Sequence, residues 1–175
     1  MRVMNPIARF DLAFSLFCLQ HRFNHQVACM SRAVSHTGDG HLYAVIALVA
    51  YLLDDTLGKA FVLCGLLAFL IELPIYWTLK NSFKRRRPQE FSEQLVSFIT
   101  PSDRYSLPSG HTAAGFLMAT VISHYYPPLA PVAFVWAGLI GLSRILLGVH
   151  FVTDVVIGVL LGVGCAEIAI NAVGV

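Results

Sequence analysis

Residues 59–88 read KAFVLCGLLAFLIELPIYWTLKNSFKRRRP. From Lys59 to Leu79 the stretch is predominantly apolar, and it ends abruptly in a cation cluster. A run of about 20 apolar residues is what an α-helix needs to cross a bilayer core. The Tyr76-Trp77 pair sits near the end of the run, where an aromatic belt would meet the interface. One carboxylate, Glu72, interrupts it. Because an ionised carboxyl is costly in hydrocarbon, Glu72 is expected to face other helices, protonated or paired, as a structural hydrogen-bonding group.

The rest of the chain repeats this pattern. Of the 175 residues, 57% are apolar and 13% charged, with a mean hydropathy of +0.69. That charged fraction is about half of what a soluble domain carries. Outward from the opening stretch, further spans are expected at 41–53, 111–125, 129–147 and 151–173, with breaks at Asp54-Asp55 and Tyr126-Pro127-Pro128. Residues 6–20 are apolar but short, and flanked by Arg9, Asp11, His21 and Arg22. They read as an interfacial helix or a short tilted span. Residues 24–36 read as a polar-faced helix, ended by Thr37-Gly38-Asp39-Gly40. Gly158, Gly162 and Gly164 permit close packing, within one chain or between two. Glu167 is expected to behave like Glu72. The expected fold is all-α: a polytopic membrane helix bundle forming a single domain over 1–175, with an N-terminal amphipathic region (1–40) and a polar loop (80–110).

Cys18, Cys29, Cys64 and Cys165 have no CxxC spacing and read as small buried hydrophobes, neither metal ligands nor disulfides. No secretory signal pattern is visible, so the spans themselves are expected to drive insertion. The net charge of +2 says little, but its distribution says more: six of the twelve Lys and Arg lie between 80 and 104. A cluster this dense suits phosphate or anionic headgroups, and the loop holding it is long enough to suggest function.

Three segments hold the residues of chemical interest: KNSFKRRRP (80–88), PSGH (108–111) and SRILLGVHFVTD (143–154). Span counting puts all three on one side of the membrane. Cleaving a phosphate ester requires fixed cations, a nucleophile and an acid for the leaving oxygen. Lys80, Arg87 and Arg144 supply cations from separate segments. Ser109 and Gly110 open a helix whose amides can face an anion. His150 and Asp154, four apart, share a face if the last helix begins early. A carboxylate on one imidazole nitrogen leaves the other free to attack.

The series Lys80-x6-Arg87-Pro88, Pro108-Ser109-Gly110-His111 and Ser143-Arg144-x5-His150-x3-Asp154 resembles the three signature motifs of the type 2 phosphatidic acid phosphatase (PAP2) superfamily, in order and with matching internal spacing. The surrounding apolar helices fit the membrane-bound bacterial lipid phosphatase branch. The soluble vanadium haloperoxidases of the same superfamily do not match a chain so rich in spans. The resemblance implies a PAP2-type six-helix core, five spans plus the short N-terminal helix. It also implies that His150 is the nucleophile forming a phosphohistidine, oriented by Asp154. His111 is then the acid for the leaving alcohol, and Lys80, Arg87 and Arg144 grip the phosphate with Ser109 and the Gly110 amide. Ser143 carries no separate role.

No cofactor or metal is implied, and no nucleic-acid partner. The partners expected are the bilayer and a lipid phosphate substrate: phosphatidylglycerophosphate, phosphatidic acid or undecaprenyl diphosphate. Phosphotransfer to a second lipid and headgroup binding without turnover are the alternatives. Lys84, Arg85 and Arg86 fall outside the motifs and read as headgroup or solvent contacts. Asp39 and His41 read as turn and cap residues, although their helix end could reach the site. The excess of Lys and Arg argues for a cytoplasmic site, whereas resemblance leans to the periplasmic face of a bacterial inner membrane. Oligomeric state is left open.

Overall fold

Helix α5 (Gly110–Tyr125) is apolar on every side, and a helix of that kind has to be surrounded. In the computed structural model, which describes residues 6–20, 24–92, 95–101 and 103–174, it is the central element. Ala113, Leu117, Ala119 and Val121 are wholly buried along it. Around it pack α4 (Gly58–Phe83), α6 (Ala130–Leu146) and α7 (Val152–Val173), while α3 (His41–Leu53) leans on α4. Consecutive helices from α3 to α7 alternate in direction. The start of α3, the end of α4, the start of α5, the end of α6 and the start of α7 therefore share one end of the bundle.

Glycine sets the closest of these approaches. A Cβ on Gly162 would lie 2.1 Å from the Ala113 carbonyl oxygen, and one on Gly158 2.7 Å from that of Ser109. Both positions face α5 of the same chain, so these two glycines serve intrachain packing. Gly164 meets nothing within 4 Å. Outward-facing side chains are large and apolar, including Leu63, Leu66 and Leu70 on α4, Val132 and Val135 on α6, and Leu160 on α7. This inside-out distribution suits a surface solvated by lipid tails.

Among the described residues, three helical stretches, Gly58–Glu90, Pro127–Leu146 and Val152–Val173, are long and apolar enough to cross a membrane. Helix α3, at 13 residues, is about 20 Å long. Helix α4 continues through Pro74 to Phe83, so Lys80 belongs to its last turns rather than to the following loop. The short helix α1 (Pro6–Leu19) packs against α6 and α7, and α2 (Asn24–His36) packs along α6.

Some side chains depart from expectation. Glu72 is buried, as expected, but Glu167 is exposed on the outer face of α7. Its position near the end remote from the motifs spares it the need for an internal partner. Cys64 and Cys165 are buried hydrophobes, whereas Cys29 is exposed, because α2 covers α6 with one face only. His21, Arg22, Glu93 and Ser102 lie outside the described residues.

Candidate active site

Lys80, Arg87, Gly110, His111, Arg144 and His150 line one cavity of about 210 Å³, with Glu72, Tyr76 and Asp103. Local structure explains how each arrives. Lys80 is delivered by the last turns of α4. Lys84 then takes a left-handed conformation (φ 47°), which ends the helix and turns the chain towards Arg87. The loop is held down by Ser106, whose N–H donates to the Arg85 carbonyl at 2.9 Å and whose hydroxyl donates to the Arg86 carbonyl at 3.1 Å.

Arg87 is almost fully buried and bonds to the Val149 carbonyl through Nη1 at 2.6 Å. It also donates to the Asp103 and Tyr105 carbonyls and to the Asp103 carboxylate. Lys80 Nζ donates to the other Asp103 oxygen at 2.6 Å and to the Tyr76 hydroxyl, which itself donates to Asp103 at 2.7 Å. Asp103 thus clasps two of the three motif cations. Burial pushes its carboxyl up, but the Lys80 and Tyr76 bonds and the nearby cations outweigh this and hold it below the usual range. Tyr76 was expected at an aromatic belt, yet it points inward. Its ring lies where a Cβ on Gly110 would come within 3.1 Å, which accounts for glycine at that position.

Arg144, 4% exposed, donates from Nη1 to Ser35 Oγ of α2 at 2.6 Å. Its Nε has no hydrogen-bond partner among the described residues. His111 Nε2 donates to Asp39 Oδ1 at 2.7 Å, and Asp39 also accepts from His36. Asp39 therefore does reach the site and fixes which nitrogen of His111 carries a proton.

His150 precedes α7 rather than sitting within it. The expected i, i+4 helical face does not form, because α7 begins at Val152 with Phe151 as its cap. Asp154 reaches back instead. Its Oδ2 accepts the Phe151 N–H at 2.8 Å and stands 3.7 Å from His150 Nδ1, beyond hydrogen-bond reach. Burial pushes the His150 imidazole down to about 4, even with the Asp154 charge opposing the shift, so it is neutral at ordinary pH.

Ser109 is not brought to the cavity. It is fully buried, its N–H donates to the Asp154 carbonyl at 3.1 Å, and its Oγ pairs with Thr112 Oγ1 at 2.8 Å. Its role here is to lock the start of α5 to α7. Ser143 Oγ likewise donates to the Ile140 carbonyl at 2.6 Å. Lys84 and Arg86 are exposed as expected, whereas Arg85 turns inward.

A second cavity, of about 690 Å³, adjoins the first at Phe69, Gly110, His111 and Ala114. It is a largely apolar groove between α3, α4 and α5, walled by Ala47, Val62 and Leu66 among others. The polar cavity and the groove thus meet at His111.

Residues 44–174 match the family model for the PAP2 superfamily. Over 149 residues the chain is 32% identical to the decaprenylphosphoryl-5-phosphoribose phosphatase of Mycobacterium tuberculosis, covering 82% of this chain and 78% of that protein. The crystal structure of Aquifex aeolicus LpxE matches with a TM-score of 0.80 at 28% identity, over 93% of this chain and 95% of that one. A transmembrane PAP2-type phosphatidylglycerolphosphate phosphatase from Bacillus subtilis shares the fold, with a TM-score of 0.74 at 24% identity, over 97% and 87% of the two chains. The chain belongs to the PAP2 superfamily, as one of its membrane-type phosphatases.

Proposed function

We propose that the protein hydrolyses a lipid phosphate monoester or diphosphate at the membrane surface, without a metal, through a phosphohistidine on His150. The observation that carries this reading is the junction at His111, where a cavity lined by Lys80, Arg87, Arg144 and His150 shares its wall with an apolar groove. A phosphoryl group among the cations places its leaving alcohol beside His111 and the attached chain in the groove.

In the first step a nitrogen of neutral His150 attacks phosphorus, and the phosphorus–oxygen bond to the alcohol breaks. His111, doubly protonated with Nε2–H held by Asp39, gives its Nδ1 proton to the departing oxygen and is left neutral. Lys80, Arg87 and Arg144 neutralise the phosphoryl oxygens, with the Gly110 amide contributing. Asp154 orients His150. In the second step His111 takes a proton from water as that water attacks phosphorus, breaking the phosphorus–nitrogen bond and releasing phosphate. Ser109 supports the site by fixing α5.

Phosphatidylglycerophosphate, phosphatidic acid and undecaprenyl diphosphate are the candidate substrates. The 32% identity to a decaprenylphosphoryl-5-phosphoribose phosphatase adds lipid-linked phosphosugars. We place α3 to α7 across the bilayer as five spans and α1 in the interface, where Phe10 and Phe17 are exposed. With α1 included, this makes the six-helix core. Residues 1–40 then form the interfacial region of a single domain, and the catalytic loop runs within 80–110. A periplasmic-facing site in a bacterial inner membrane is the favoured orientation.

The test is phosphate release by purified protein from these lipids in EDTA, with His150→Ala as control. EDTA-resistant release that vanishes in the variant is the expected result. Release that persists in folded His150→Ala would sink the phosphohistidine. Phosphorylated acceptor lipid in place of free phosphate would identify a phosphotransferase.

A further inference from the structure

Behind the catalytic pair lies an ion network that joins the motif residue Asp154 to two residues outside the motif positions, Arg85 and Asp11. Arg85 Nη1 donates to Asp154 Oδ1 at 2.7 Å, and its Nη2 donates to Asp11 Oδ2 of α1 at 2.6 Å. Its guanidinium lies 4.5 Å from the centre of the Phe151 ring, next to His150. Asp11 and Asp154 are both wholly buried, at 0% exposure. Asp11 also accepts the Thr153 N–H, at 3.2 Å, and the Thr153 hydroxyl. One arginine therefore bridges two buried carboxylates, one from the N-terminal helix and one beside the nucleophile.

The bridge governs what Asp154 can do. Its two oxygens are divided: Oδ1 is taken by Arg85, and Oδ2 by the Phe151 N–H, 3.7 Å from His150 Nδ1. His150 Nδ1 has no hydrogen-bond partner among the described residues. Without Arg85, Oδ1 becomes an unpaired buried anion, which is strongly unfavourable. The carboxylate then has to rotate, take up a proton or admit water, and each of these moves the group that aims His150. A carboxylate fixed by two other donors keeps one orientation throughout turnover.

We infer that Arg85 is a positioning residue for phosphoryl transfer, acting through Asp154 on His150, and that Asp11 holds it there. Docking of α1 is thereby part of the catalytic apparatus. This rests on His150 being the nucleophile. Arg85 contributes to the chemical step more than to phosphate affinity, because it stands behind Asp154 rather than in the cation-lined cavity. Outer partners that orient metal-ligating residues are worth about 10–100-fold, and a loss of that order is expected for an arginine that fixes Asp154.

The experiment compares full-length Arg85→Gln, Arg85→Lys, Asp11→Asn and the Asp11→Asn/Arg85→Gln double variant in lipid–detergent micelles. It records kcat, KM, inhibition by inorganic phosphate and thermal unfolding, with His150→Ala alongside. In Arg85→Gln, kcat should fall about 10–100-fold while KM and phosphate inhibition stay within about threefold. Arg85→Lys should recover part of the loss, since one carboxylate can still be reached. Asp11→Asn should lower kcat in the same direction, and the double variant should be no worse than Arg85→Gln, as members of one network are non-additive.

Wild-type kcat in Arg85→Gln would overturn the assignment. So would a loss shared equally by kcat and phosphate affinity, or one that tracks melting temperature with Arg85→Lys no better than Arg85→Gln. Turnover that survives in His150→Ala would sink the underlying mechanism instead. A dead His150→Ala beside a normal Arg85→Gln would sink only the positioning role.

Discussion

Replacing Gly162 by alanine adds a single methyl group to α7, at the place where that helix touches the backbone of α5. The new Cβ would lie 2.1 Å from the Ala113 carbonyl oxygen and 2.9 Å from the Leu117 nitrogen. Neither neighbour is a flexible side chain. Ordinary contact is reached only if the helices separate by about 1 Å or more, a strain that costs about 1–3 kcal/mol in a packed interior. The catalytic consequence follows from which residues the two helices carry. Helix α5 presents Gly110 and His111, and α7 holds Asp154 behind His150. A shift of about 1 Å in a reacting constellation can cost on the order of 100-fold in rate.

Gly164→Ala is the matched control, since its added methyl group meets nothing within 4 Å. In a helix interior alanine is favoured over glycine by about 1 kcal/mol, so this variant should melt at or above the wild-type temperature with unchanged turnover. Thermal unfolding in detergent and kcat on a phosphorylated lipid check both. Gly162→Ala with wild-type stability and turnover would refute the close-packing argument. Equal damage from Gly164→Ala would show that glycine's flexibility matters more than its size.

Asp103→Asn removes the negative charge that Lys80 and Arg87 share. Phosphate inhibition should strengthen about tenfold, or about 1.4 kcal/mol, while kcat falls as the cations lose their common anchor. Unchanged or weaker phosphate binding would mean that the carboxylate organises the cations without opposing an incoming anion. Acid stability follows from His150, whose pKa in the folded protein lies at about 4 against an ordinary 6.5. Above pH 6.5 the imidazole is neutral whether folded or unfolded and contributes nothing. As pH falls towards 4, the unfolded chain takes up a proton that the fold resists, so stability declines by on the order of 3 kcal/mol. Asp103 and Asp39, both held below the usual carboxyl range, add loss at still lower pH. The melting temperature of His150→Gln should change less between pH 6.5 and 4 than that of wild type; parallel curves would remove His150 as the source.

Legibility in the sequence divided along clear lines. The motif residues stand at fixed spacing within single helix ends and turns, and the resemblance of that spacing to the PAP2 motifs nominated Lys80, Arg87, His111, Arg144, His150 and Asp154. The partners that hold them could not be read this way. Asp103 meets Lys80 across 23 positions, Arg144 meets Ser35 across 109, and Arg85 meets Asp11 across 74. An aspartate in a polar loop or an arginine in a basic run looks like an ordinary solvated residue. Ser109, nominated with its motif, ties α5 to α7 through its amide, while its hydroxyl pairs with Thr112 inside the first turn of α5.

By itself, the order of apolar runs and breaks determined a helical membrane protein with its motif residues gathered at one end. A helix of given length and direction delivers its terminus to a predictable side of the bilayer. Tertiary structure alone decided which side chains meet at that end: Tyr76 turned inward, Asp39 placed on His111, and Arg85 set between Asp11 and Asp154. These contacts depend on how the helices rotate and how closely they approach, and those are set by packing across the bundle, including two glycines of α7 against α5.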